Sequence, residues 1–206
     1  MVRIGVLLGI SFLMLPWRAQ PPQTNPPKDS AANVPQYTAD GRLVFPEHYR
    51  EWVYLSTGMD MNYRPDAGMN HSMFDNVFVN PEAWKSFQAT GTWPDKTMLV
   101  LEVRGAASKS AINKAGHYQT PEIMGLEVHV KDQVRFMETG KWAFFGFDTG
   151  EPAQMIMKEM TCYSCHQQHA AVDTTFVQFY PTLIELAKKK GTLSRSYVKE
   201  EAEAAK

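Results

Sequence analysis

From Leu126 to Lys131 apolar and ionisable side chains take turns: Leu126, Val128 and Val130 alternate with Glu127, His129 and Lys131. A period of two places the first three on one face of a strand and the others on the opposite face, where His129 is expected to meet solvent. Three more runs rich in Val, Leu, Phe and Trp predict strands at Met73 to Val79, Thr97 to Val103 and Trp142 to Phe147, with Met124 to Val130 holding the alternating one. Gly105 to Gly116 is small and polar, so it predicts a loop between two strands.

Helical signals fall between and after the strands. Pro46-Glu47 opens a predicted helix running into Tyr49, Trp52 and Val53, because proline suits the first helical position and an acid suits the positive helix end. Asn80-Pro81-Glu82 repeats the start signal, and Gly91 supplies the stop after Ala83, Trp84 and Phe87. Pro152 to Met160 is read as a helix that delivers the chain to its two cysteines. Thr182 to Lys190 is read as another, with three lysines at its negative end and Gly191 behind them. Ser194 to Lys206 offers only Tyr197 and Val198 as large apolar groups and is expected to be a charged tail. Strands and helices in this order predict an α+β, β-rich fold.

Composition then sets limits. Apolar residues make up 44% and aromatics 12%, enough for a real core in a single domain. A net charge of −1 gives no reason to expect nucleic-acid binding or a polybasic membrane contact. At the N-terminus Arg3 precedes an apolar run from Ile4 to Leu15 that Pro16 ends. About 12 residues is short for a membrane span, which needs about 20, so residues 1–20 read as a signal peptide for export to the periplasm. Pro, Asn, Ser and Ala dominate the next stretch, giving a flexible leader at 21–38, a folded domain at 39–193 and the tail at 194–206.

Both cysteines of the chain fall in Cys162-Tyr163-Ser164-Cys165-His166, the spacing of c-type haem attachment. Two intervening residues let the thiols reach the two vinyl groups on one haem edge, and the adjacent imidazole reaches the iron. One covalent haem c on Cys162 and Cys165, with His166 as its metal ligand, is therefore expected. A zinc site would use the same cysteines with two of His166, His169 or another histidine, though structural zinc usually shows two separated ligand pairs. A redox disulfide would sit where a strand feeds a helix, whereas here the expected order is helix, motif, loop. The far side of the iron decides function. A second His or Met ligand makes an electron carrier, and the candidates are His48, His71, His117, His129 and His169 together with twelve methionines.

Several stretches in shared order make the chain resemble the cytochrome P-460 family, which includes the cytochromes c′-beta. They are Phe45-Pro46-x-x-Tyr49-Arg50-x-Trp52-Val53, Val77-x-Val79-Asn80-Pro81-Glu82, Thr90-Gly91-x-Trp93-x-Asp95, Gly125-Leu126-Glu127-x-x-Val130-Lys131-Asp132, Trp142-Ala143-Phe144 and Phe179-Tyr180-Pro181, with the haem motif before the last. The resemblance implies an antiparallel sheet with flanking helices, a five-coordinate haem under a distal pocket, and a homodimer. Family enzymes that oxidise hydroxylamine carry a lysine cross-linked to the haem, at a position matching Leu101. A hydrocarbon cannot make that bond, so no lysine cross-link is expected. Lys96 has the wrong strand parity to replace it, and Lys109 and Lys114 lie on the following loop. The family's distal acid matches Glu127, read either as a proton relay or as a solvent-facing strand residue. An arginine of some members is replaced by Asp75, and Phe74 is read either as a cap over the iron or as core. The resemblance thus implies a small nitrogen-oxide ligand such as nitric oxide. Hydroxylamine oxidation and plain electron transfer with a redox partner protein stand as alternatives.

Overall fold

The structure, a computed structural model, describes residues 33–61, 72–148 and 150–206. The expected signal peptide and the leader up to residue 32 lie outside them, as does His71. Five strands, β1 (Val53–Met59), β2 (Met73–Val79), β3 (Met98–Ala107), β4 (Tyr118–Lys131) and β5 (Trp142–Phe147), pair antiparallel in chain order to make one open sheet. Among the described residues four α-helices accompany it: α1 (Pro81–Thr90), α2 (Thr161–His169), α3 (Pro181–Lys190) and α4 (Arg195–Ala204). The chain is α+β, as its patterning predicts, and none of the described helices is long and apolar enough to cross a membrane.

Pairing fixes which side chains share a face. Asp75 lies opposite Val103, Val77 opposite Leu101, Leu101 opposite Glu127, and Leu99 opposite His129, so these residues project from one side of the sheet. That side is covered by helices, with a core built on Phe87, Trp93, Leu99, Trp142, Val177 and Leu183. The other side packs Leu43, Tyr49, Met98, Val128, Val130 and Phe145 under the N-terminal segment. Both faces of β4 are therefore buried over Val128–Lys131. His129 accordingly sits at 9% exposure, not in solvent as its polar parity suggests.

Five local readings differ from the sequence. The helix expected from Pro46 is only a 3₁₀ turn at Tyr49–Glu51, after which the chain becomes β1. A bulge between Tyr54 and Ser56 breaks the two-residue period there, which hides the strand from a pattern reading. Pro152 to Met160 is not helical: Ala153 bridges to Leu43 and Met155 to Phe145, extending the sheet edge, and the haem motif itself forms the helix. The expected loop at 105–116 is shorter, because β3 runs on to Ala107. The tail from Ser194 is α4, whose cap Ser194 accepts a hydrogen bond from the Tyr197 amide at 3.2 Å. Asn33, in the expected leader, takes a hydrogen bond from the Trp52 indole at 2.9 Å, so ordered structure begins ahead of residue 39.

The helix stops follow the sequence. Gly91 and Gly191 both close helices with positive φ, 76° and 69°. Thr192 Oγ1 donates to the Gly91 carbonyl at 2.7 Å, joining the ends of α1 and α3.

Candidate haem site

One turn of α2 presents all the motif residues. Cys162, Cys165 and His166 are spaced i, i+3 and i+4, which places them on one side of the helix. Both thiols are free. Burial, then the neighbouring charges of Cys162 and Glu200, push the Cys165 thiol up, the reverse of what activates a redox cysteine. Among the described residues no three His, Cys, Asp or Glu side chains are grouped to hold a metal ion, so the zinc alternative finds no assembled site there.

His166 is oriented by the chain that follows it. The Thr174 carbonyl lies 2.8 Å from its Nδ1, and a carbonyl can only accept, so Nδ1 carries the proton. Burial lowers the pKa of His166, partly offset by that carbonyl, and keeps the ring neutral. Nε2 is left with its lone pair, the state a metal ligand needs. Thr174 in turn is fixed from behind. Lys131 Nζ reaches Asp173 at 2.9 Å and the Trp93 carbonyl at 2.7 Å. The Trp93 indole donates to Thr175 Oγ1 at 2.7 Å. None of these supports was legible in the sequence, because they join residues 38 to 82 positions apart.

His129 stacks on Phe144 at 4.0 Å, meets His166 edge-on at 5.2 Å and lies 3.3 Å from Thr174 Oγ1. Burial, and then the proximity of His166, hold its pKa well below the usual histidine value. It belongs to the support of His166.

A cavity of about 490 Å³ opens between the helix-covered face of the sheet and the segment after α2. This size is usual for a small-molecule site. Asp75, Leu101, Glu127 and His166 all line it. Phe74 does not. Its strand parity puts it with Asn76 and Phe78 on the opposite face, which removes it as a cap over the iron. Glu127 lines the cavity and is at the same time exposed, and desolvation by the surrounding wall raises its pKa. Burial raises Asp75 as well, and the charge of Glu127 adds to it. Lys96 is held by Asp132 at 2.5 Å, and neither it nor Lys109 nor Lys114 is in the lining.

The donor set suits a haem: a neutral imidazole with one nitrogen free, two free thiols a helical turn apart beside it, and an apolar wall of Val77, Leu99, Phe144 and Phe176. A family model described as Cytochrome P460 matches residues 46–177, a span that contains the whole sheet and all three motif residues. No curated protein matches the chain.

Proposed function

The chain belongs to the cytochrome P460 family, whose members bind haem, and on that premise we propose a periplasmic, mono-haem c-type cytochrome with an open cavity for small nitrogen-oxide ligands such as nitric oxide. Cys162 and Cys165 would anchor the group, each S–H adding across a vinyl double bond so that sulfur and hydrogen end on neighbouring carbons. His166 would hold the metal through Nε2. The haem, when bound, supplies an iron with a coordination position for a diatomic or similarly small molecule.

Leu101 is the observation that carries the open-site reading. It lies on the cavity wall, opposite Glu127 in the ladder, where family enzymes with a cross-linked haem have lysine. Its hydrocarbon side chain leaves the macrocycle unmodified and adds to an apolar wall. Export through residues 1–20, a homodimer and a redox partner protein complete the proposal.

The test is optical. Purified from a host that matures c-type cytochromes, the protein is expected to show a high-spin ferric haem spectrum, and the reduced protein is expected to shift on adding nitric oxide. An unchanged spectrum with nitric oxide refutes the ligand-binding reading. A low-spin spectrum in both oxidation states replaces it with electron transfer, for which Met61 and Met73 in the lining offer thioether ligands.

Glu127 favours a second reading, oxidation of hydroxylamine. Its carboxyl, on the cavity wall and partly desolvated there, holds a proton more firmly than usual and is able to pass protons to and from a substrate in the cavity. Turnover of hydroxylamine with an external electron acceptor is then expected to fall at least 100-fold, on the order of a lost general base, in Glu127→Gln. Absence of turnover in the unmodified protein excludes this activity.

A further inference from the structure

We propose that Lys131 and Asp173 are positioning residues for the iron ligand: their ion pair holds the turn at 172–175 so that the Thr174 carbonyl draws on the His166 Nδ1 proton, which strengthens electron donation to the iron and favours its ferric state. This rests on the haem-site reading above and deepens it by naming what sets the strength of the His166 bond.

The turn closes on itself. The Thr175 amide donates to the Val172 carbonyl at 2.9 Å, and Thr175 Oγ1 donates to the same carbonyl at 2.8 Å. Between them Asp173 takes a φ of +53°, in the left-handed region that a side chain enters at a cost and that aspartate tolerates better than most. Such a conformation persists only where its surroundings hold it. The next carbonyl along is that of Thr174, 2.8 Å from His166 Nδ1.

Lys131, the last residue of β4, supplies the hold. Its Nζ reaches Asp173 Oδ2 at 2.9 Å and the Trp93 carbonyl at 2.7 Å, and lies 5.5 Å from the centre of the Trp142 ring. The lysine side chain is 11% exposed and that of the aspartate 31%. An ion pair so far out of water adds little net stability over apolar groups of similar volume, because both partners give up hydration. What it adds is direction, since the ammonium is tied to the end of the sheet and to the segment ahead of β3. Trp93 extends the same frame to the other side of Thr174, its indole donating to Thr175 Oγ1 at 2.7 Å. Held on both sides, the Thr174 carbonyl stays on the Nδ1 proton, and a histidine polarised in this way is a more basic metal ligand. A more basic ligand favours the higher charge on the metal.

Position and charge leave different signatures. Holoprotein is prepared as the unmodified chain, Lys131→Met, Asp173→Asn and the double variant, and each is measured by resonance Raman spectroscopy in the ferrous state and by potentiometric titration. The iron–histidine stretching frequency is expected to fall in Lys131→Met and in the double variant. A smaller fall is expected in Asp173→Asn, where a neutral hydrogen bond replaces a charged one. Asparagine tolerates the same backbone, so this variant keeps the test available if Lys131→Met folds poorly. The double variant changes no net charge, and its ferric-to-ferrous balance is expected to move about tenfold toward ferrous, a rise of about 59 mV for one electron.

An unchanged stretching frequency in the variants that fold overturns the positioning role, even where their urea midpoints drop. Potentials that move in opposite directions in the two single variants and return to the unmodified value in the double one also overturn it, since charge alone does that. Both outcomes leave the haem reading intact. A chain that carries no haem at all overturns both.

Discussion

Glu102 shows how differently two neighbouring positions are used. Leu101 faces the cavity, while Glu102 points to the other side of the sheet and is 2% exposed. Burial alone raises a carboxyl, yet hydrogen bonds from Arg104, Tyr49 and Arg50 outweigh it and bring Glu102 down to about 2. A folded-state pKa below the unfolded value contributes stability that is present above about 4.5 and is lost as pH falls toward about 2. Half of the Arg50 side chain is exposed, which screens part of the gain. Glu102→Gln is expected to cost on the order of 2 kcal/mol at pH 7 in urea unfolding, with the difference from the unmodified chain shrinking through that acid window. A pH-independent difference would show that packing, not ionisation, is at stake. Cys162→Ala with Cys165→Ala is expected to release haem under denaturing conditions, seen as loss of haem mass on the polypeptide. His166 remains as a ligand, so some pigment is retained in the native state.

At the scale of elements, the ends of helices carry more than their length suggests. Ser194 caps α4 and its Oγ also donates to the Ala170 carbonyl, at 2.6 Å, just past the end of α2. Ser194→Ala is expected to cost about 1–2 kcal/mol in chemical unfolding, through the lost cap and the unpaired carbonyl. The His169–Glu200 contact at 3.0 Å joins the same two helices, but both side chains are about half exposed, and its removal is expected to cost far less. Gly91 combines φ of +76° with a tight approach, since a Cβ there would lie 2.8 Å from Lys190 Cβ. Gly91→Ala is expected to destabilise by about 1–3 kcal/mol, measured as a fall in Tm, because it brings backbone strain as well as crowding between α1 and α3.

At the scale of the whole molecule, the described residues form two cores that share one sheet. Phe87 is fully buried among the helices on the cavity side, and Phe145 is 1% exposed on the opposite side. Since β2, β3 and β5 contribute side chains to both, loss of either core releases the other. Phe87→Ala and Phe145→Ala are each expected to cost about 3–5 kcal/mol. In both variants unfolding followed by far-ultraviolet dichroism and by haem absorption is expected to coincide in one transition. Separate transitions would show that the cavity side unfolds on its own.

Local chemistry was written in the chain. Alternation at 126–131 set the strand and its parity, Pro81 and Gly91 marked the ends of α1, and the C-x-x-C-H spacing brought two thiols and an imidazole to one side of a helical turn. These depend on neighbours within a few residues, where backbone sterics and side-chain direction act alone. Tertiary packing decided the rest. Parity says that Glu127 and His129 share a face, but only the helices laid on that face make it a cavity wall. Without them His129 would be a solvent-exposed residue and Phe74 as good a candidate as Asp75. The same holds for Thr174, Trp93 and Lys131, which orient His166 only because the sheet and the segment after α2 meet. Which face of a strand is dry is settled by long-range contacts, and no local pattern encodes their partners.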